Sequence, residues 1–115
     1  MDLTPSQIST LESFLRAGFR FVTLERMERY LGVEKDGFVA LLDPSNGKLS
    51  LFGQAGWLFP EGLAMLIERG EGKAFVWKSK SVPATPQLLA EYERFRTEVK
   101  GLLEVSTAPQ AIGIY

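Results

Sequence analysis

From Phe38 to Lys80, short apolar runs alternate with breaks rich in glycine, asparagine and proline, and that rhythm limits the folds open to the chain. Phe38–Asp43 and Lys48–Phe52 are of strand length and flank Pro44-Ser45-Asn46-Gly47. Asn-Gly tolerates positive φ at both residues, which a tight hairpin turn requires. The two runs therefore read as a hairpin. Leu63–Glu68 and Lys73–Lys80, on either side of Arg69-Gly70-Glu71-Gly72, read as a second one. Between the hairpins, GQAGWLFPEG (53–62) is punctuated by Gly53, Gly56, Pro60 and Gly62 and is expected to be an irregular loop. Four strands joined in order by short connections predict an antiparallel meander.

Helix signals bracket that region. Thr4 is an N-cap, Pro5 suits the first helical position and Gln7 completes capping-box spacing, predicting a helix over Pro5–Ala17. Ile8, Leu11, Phe14 and Leu15 form its expected inner stripe, Leu3 and Ile8 a hydrophobic staple, and Gly18 the residue that ends it. Thr85-Pro86 repeats the start signal. Leu88, Tyr92, Phe95, Val99 and Leu102 then recur at spacings of four, three, four and three, with charged residues opposite. Thr23 can cap a short helix carrying Leu24, Met27, Tyr30 and Leu31 inward, stopped by Gly32. The fold class expected is α+β: a four-stranded antiparallel meander packed on one face by the N-terminal and C-terminal helices. Residues 1–104 would form a single domain, and 105–115 a tail with an apolar end.

Composition narrows the chemistry. The chain has 115 residues, 45% hydrophobic and 23% charged, with a net charge of −1, values of an ordinary globular domain without a strong pull toward nucleic acid or anionic membrane. It contains no cysteine and no histidine. Disulfides, thiolate nucleophiles, cysteine-ligated zinc and histidine-based general-base catalysis are thereby excluded. No cofactor and no catalytic or metal-ligating set is expected. The N-terminus lacks a basic region with an apolar run behind it, and no apolar stretch nears the length of a spanning helix, so a cytoplasmic protein without a membrane partner is the expectation.

Residues 23–42 admit another reading. Thr23, Met27, Leu31, Gly32 and Val33, followed by Phe38 and Leu42, fall on the T-x-x-E-L-A-x-x-L-G-V-S pattern, and the stretch resembles a helix-turn-helix motif. That resemblance implies a DNA-binding regulator with the second hairpin as a wing. Three features depart from it. Glu28 stands where a small residue lets the two helices approach, and burying an unpaired carboxylate there costs several kcal/mol. Lys35-Asp36-Gly37 to Asp43 offers one cation against two acids, a poor match to phosphate. VALL before Asn-Gly suits a strand better than a helix.

Other stretches carry less. In KAFVWKSKS, strand alternation puts Phe75, Trp77 and Ser79 on one face and Val76, Lys78 and Lys80 on the other, which separates aromatics from cations and argues against a base-stacking platform. Glu61, Glu68 and Glu71 lack the spacing of a metal or acid–base site. Trp57, Phe59 and Pro60, with Tyr115 from the tail, form the candidate interaction patch, the loop aromatics either plugging the core or rimming a groove. The leading expectation is a small non-catalytic module that binds a protein partner or a second copy of itself. The alternatives are the helix-turn-helix regulator and a small-ligand or metal-dependent enzyme using Glu61, Glu68 or Tyr30.

Overall fold

The computed structural model describes residues 3–60, 62–70 and 72–107. Its order is α1 (Pro5–Arg16), β1 (Arg20–Val22), β2 (Leu31–Lys35), β3 (Phe38–Asp43), β4 (Ser50–Phe59), β5 (Gly62–Arg69), β6 (Gly72–Trp77), β7 (Lys80–Pro83) and α2 (Pro86–Thr107). The strands form one open antiparallel sheet in chain order. The class is thus α+β with a meander, as expected, but of seven strands rather than four. The three extra strands are short or masked by other signals: β1 has three residues, β7 carries one aliphatic side chain, and β2 begins at Leu31, the last apolar residue of the expected short helix.

β3 is the centre of the sheet, and it forms where two local signals agree. Asp36 and Gly37 both have positive φ, 54° and 92°, and Lys35 pairs with Phe38 across them. That is the two-residue hairpin turn for which Asp-Gly is suited. Glu34 locks it: its buried carboxylate accepts the Gly37 N–H at 2.8 Å and pairs with Arg20 on β1. Asn46-Gly47, the turn signal read from the sequence, sits instead in a longer connection between β3 and β4. There Asp43 accepts the Ser45 N–H at 2.9 Å, and this bond, with lesser help from the Ser45 side chain and Arg29, holds its carboxyl below the ordinary range.

The short helix expected after Thr23, carrying Leu24 to Leu31, does not form: residues 23–30 are a string of turns and Leu31 opens β2. Arg26 takes φ 68°, and its N–H donates to the Glu28 carboxylate rather than to a helical carbonyl. A charged side chain competing for the backbone breaks the helix that its apolar spacing suggested. Nor is 53–62 an irregular loop: β4 runs through Gly53 and Gly56 to Phe59. The glycines mark a bulge instead, since the ladder jumps from Leu41↔Phe52 to Val39↔Gly56.

The core gathers around Phe38. Its ring lies 6.0 Å from Trp57, 6.2 Å from Phe75, 5.7 Å from Tyr92 and 5.7 Å from Phe95, joining β3 to β4, β6 and α2. Phe19 extends the cluster to Phe14 of α1 at 5.0 Å and to Phe95 at 5.6 Å. Such ring pairs contribute about 0.5–1.5 kcal/mol each beyond burial. The α2 stripe matches its expectation, with Tyr92, Phe95 and Val99 buried and Leu88 and Leu102 packed against the cluster. The α1 stripe is rotated. Leu11 and Phe14 are buried, but Ile8 and Leu15 are 46% and 52% exposed, and Gln7 is 1% exposed. Gln7 is tolerated inside because its amide is saturated: Oε1 accepts the Thr4 N–H, completing the capping box, and Nε2 donates to the Pro44 carbonyl at 2.7 Å.

Tyr92 closes the bulge in β4. Its hydroxyl donates to the Ala55 carbonyl at 2.8 Å in a fully buried contact, serving a backbone group in the stretch where the β3–β4 ladder is interrupted. Burial pushes the Tyr92 hydroxyl pKa up. A raised folded pKa means that the neutral form contributes stability fully present below the unfolded value, and lost as pH climbs through the folded one. Tyr92→Phe is expected to cost about 1–3 kcal/mol in denaturant titrations near neutral pH, from the unpaired Ala55 oxygen. The gap to wild type should narrow above pH of about 10, where the wild-type chain alone carries the ionisation penalty; a pH-independent gap would contradict this account.

Candidate functional site

Three segments border one surface of the molecule: the turns after β1, the β4–β5 turn and the β6–β7 turn. They enclose an open groove of about 1110 Å³. On β4 and β5 its floor is Leu58, Leu63 and Met65. These alternate along their strands with Trp57, Ala64 and Leu66, which belong to the Phe38 cluster, so they point to the opposite face. Val22, Leu24 and Met27 form the facing wall, and Phe59, Pro60 and Trp77 close the end. Every one of the floor side chains is only half-buried. Apolar surface left in contact with water at a concave site marks a place for an apolar guest.

The polar groups on the rim are Thr23, Glu25, Arg26 and Lys78. Arg26 and Lys78 have φ of 68° and 53°, two of three non-glycine residues with positive φ among those described. Left-handed backbone on a residue with Cβ costs roughly 1–3 kcal/mol and persists where surrounding contacts impose it. Lys78 occupies the two-residue turn between Trp77 and Lys80, and its Nζ lies 5.3 Å from the centre of the Trp77 ring. Trp77 in turn packs flat on Gly62, where a methyl group would fall 2.6 Å from Cζ2. The absence of a side chain at 62 is what lets the indole form that end of the groove.

A second, smaller cavity of about 500 Å³ is lined by Lys35, Asp36, Glu91, Arg94 and Glu98 over Phe38 and Phe95. Its lysine is committed to structure. Lys35 Nζ donates to the Ala17 carbonyl at 2.9 Å and to both Glu98 oxygens at 3.0 and 3.1 Å, tying β2 to the end of α1 and the middle of α2.

The candidate patch read from the sequence is divided. Trp57 is a core residue, with its ring 5.4 Å from Phe75 at right angles and Phe38 beside it. Phe59 and Pro60 do line the groove. Tyr115 lies outside the described residues. Glu61 and Glu71 lie outside them too; Glu68 faces Lys73 across the β5–β6 ladder, and Tyr30 stacks on Phe52 with ring centres 4.0 Å apart. Among the described residues no group of three or more acids could hold a metal ion. The second half of the stretch resembling a helix-turn-helix is β2 and β3, paired on both sides, so no helix is presented there.

Sequence reasoning missed the floor itself. A signal for it exists: Leu63-Ala64-Met65-Leu66-Ile67 is apolar at every position, so β5 offers apolar side chains on both faces. Comparison with known proteins adds no assignment, for no family model, curated protein or solved structure matches the chain. Gly62→Ala should displace Trp77 from its seat, seen as a red shift of tryptophan emission with a loss of about 1–3 kcal/mol of stability. Trp77→Phe should abolish the shift; unchanged emission in Gly62→Ala would show that the contact does not organise this end of the groove.

Proposed function

We propose that this protein is a non-catalytic interaction module whose groove seats an apolar segment of a partner protein flanked by acidic residues. The observation that carries the reading is the half-buried floor of Leu58, Leu63 and Met65 in a groove whose lining holds two cations, Arg26 and Lys78, against one acid, Glu25. Aliphatic side chains inserted over that floor would gain about 25 cal/mol for each Å² removed from water. Carboxylates at the rim would set orientation and association rate rather than depth of binding. Left-handed backbone at both cations supports the same reading, since such strain gathers at ligand clamps.

The reading takes α1 and α2 as covering one face of the sheet and leaving the groove on the other. In its support, Phe38 reaches Tyr92 and Phe95 of α2, whereas the floor residues alternate with the side chains of that cluster. Trp57 drops from the contact patch, and Phe59 and Pro60 remain in it. We also keep a cytoplasmic setting as part of the reading, on composition. No helix among the described residues is long and apolar enough to cross a membrane.

Selection from a peptide-display library tests this. Enriched peptides should share apolar residues with Asp or Glu beside them. Leu63→Glu should weaken their binding at least roughly tenfold, or ~1.4 kcal/mol, with thermal stability retained. Arg26→Ala with Lys78→Ala should give a smaller loss that fades in high salt. Enrichment of basic peptides, no convergent enrichment, or indifference to Leu63→Glu would each overturn the reading.

A further inference from the structure

The sheet has a third edge besides those of β1 and β7. β4 and β5 pair only through Trp57↔Ala64, Leu58↔Leu63 and Phe59↔Gly62. Beyond Gly56 the two strands part, and β5 continues alone with β6. The first half of β4 keeps β3 on one side, through Ser50↔Asp43, Leu51↔Leu42 and Phe52↔Leu41, and among the described residues has no strand on the other. Gly53, at φ 65°, is the bend where β4 turns from this free edge into the bulge.

The three edges differ in how they are protected. β1 is three residues long and begins with Arg20, and β7 is four residues long, with Lys80 at one end and Pro83 at the other. Shortness, a cation and a proline are the usual devices that stop a sheet edge from recruiting another strand. Ser50–Gln54 has neither the cation nor the proline. All five residues are exposed and uncharged, and Leu51 and Phe52 are 46% and 39% exposed on a strand of ten residues.

From this contrast we infer that Ser50–Gln54 is a self-association edge, on which two copies of the chain pair antiparallel about a twofold axis near Leu51 and Phe52. A twofold axis brings each residue opposite a residue of the same short segment, so any charge in it would face its own kind. The absence of charge fits a second copy better than a foreign strand, for which complementary charge would be of use. Leu51 and Phe52 supply apolar contact on the two faces, and the backbone groups that β5 leaves unpaired supply the ladder. The surface is separate from the groove, which uses the other half of β4, so this inference does not depend on the ligand proposed above.

Light scattering and sedimentation of the full chain over a concentration series test it. Wild type should pass from monomer to dimer with rising concentration. Leu51→Lys, placed on an exposed side chain so that folding is spared, should stay monomeric at every concentration, and so should Leu51→Glu. Mixing these two variants should restore a dimer containing one of each, because opposite charges then meet beside the axis. Leu63→Glu, in the groove, should leave dimerisation as in wild type. A wild-type chain that is monomeric throughout, a Leu51→Lys dimer of undiminished strength, or a mixture that fails to pair would each overturn the inference.

Discussion

Phe38 is the residue on which the rest of the structure depends. Its ring touches aromatic side chains from two other strands and from α2, and through Phe95 and Phe19 the same cluster reaches α1. A meander joined only by neighbouring strands has no long-range tie of its own, because each strand sees just the one before and the one after. The aromatic cluster supplies that tie. It links elements more than fifty residues apart, and its formation requires β3 to turn Phe38 inward. That orientation follows from the two-residue turn at Asp36-Gly37, since a strand's side chains alternate strictly and a shift of one residue would turn Val39 inward instead.

β3 is buried along both faces, Phe38, Ala40 and Leu42 on one and Val39 and Leu41 on the other. The far face is buried at Val39 and Leu41 on β3 but half-exposed at Leu58 on β4 and at Leu63 and Met65 on β5. This gradient is what creates the groove. The bulge in β4 has the same origin as the free edge: once Gly53–Ala55 leave the ladder, β4 bends, β5 follows β6, and the sheet opens. Tyr92 makes that opening tolerable by satisfying the Ala55 carbonyl from the helix. One irregularity thus sets the position of both candidate contact surfaces, the groove on one half of β4 and the unpaired strand on the other.

Much of this architecture was legible in the residues. The capping signals at Thr4 and Thr85 marked both helix starts, and the spacing of Tyr92, Phe95 and Val99 identified the buried face of α2, because these rest on interactions within a few residues. The strand character of Phe38–Asp43 was legible too. The short helix at 24–31 and the loop at 53–62 were misread for related reasons. In the first, apolar spacing suited a helix, but Glu28 bonded the Arg26 N–H. In the second, glycines that usually end strands marked a bulge within one. Of the candidate site, Phe59 and Pro60 were legible as aromatic and proline in a turn, whereas Leu58, Leu63 and Met65 looked like ordinary core residues.

By itself the chain's sequence determined the class of fold, the starts of the two helices, the seven-residue periodicity of α2's inner face and the absence of histidine and cysteine chemistry. Each of these follows from local hydrogen bonding, side-chain period or residue identity, and none requires knowing what lies across the molecule. Tertiary structure decided which apolar side chains stay wet. Burial is a property of pairs of elements: Ala64 is buried against the Phe38 cluster, while Leu63, its neighbour along β5, is left half-exposed in the groove. The same holds for the edge at Ser50–Gln54, whose freedom depends on where β5 goes rather than on any residue within it.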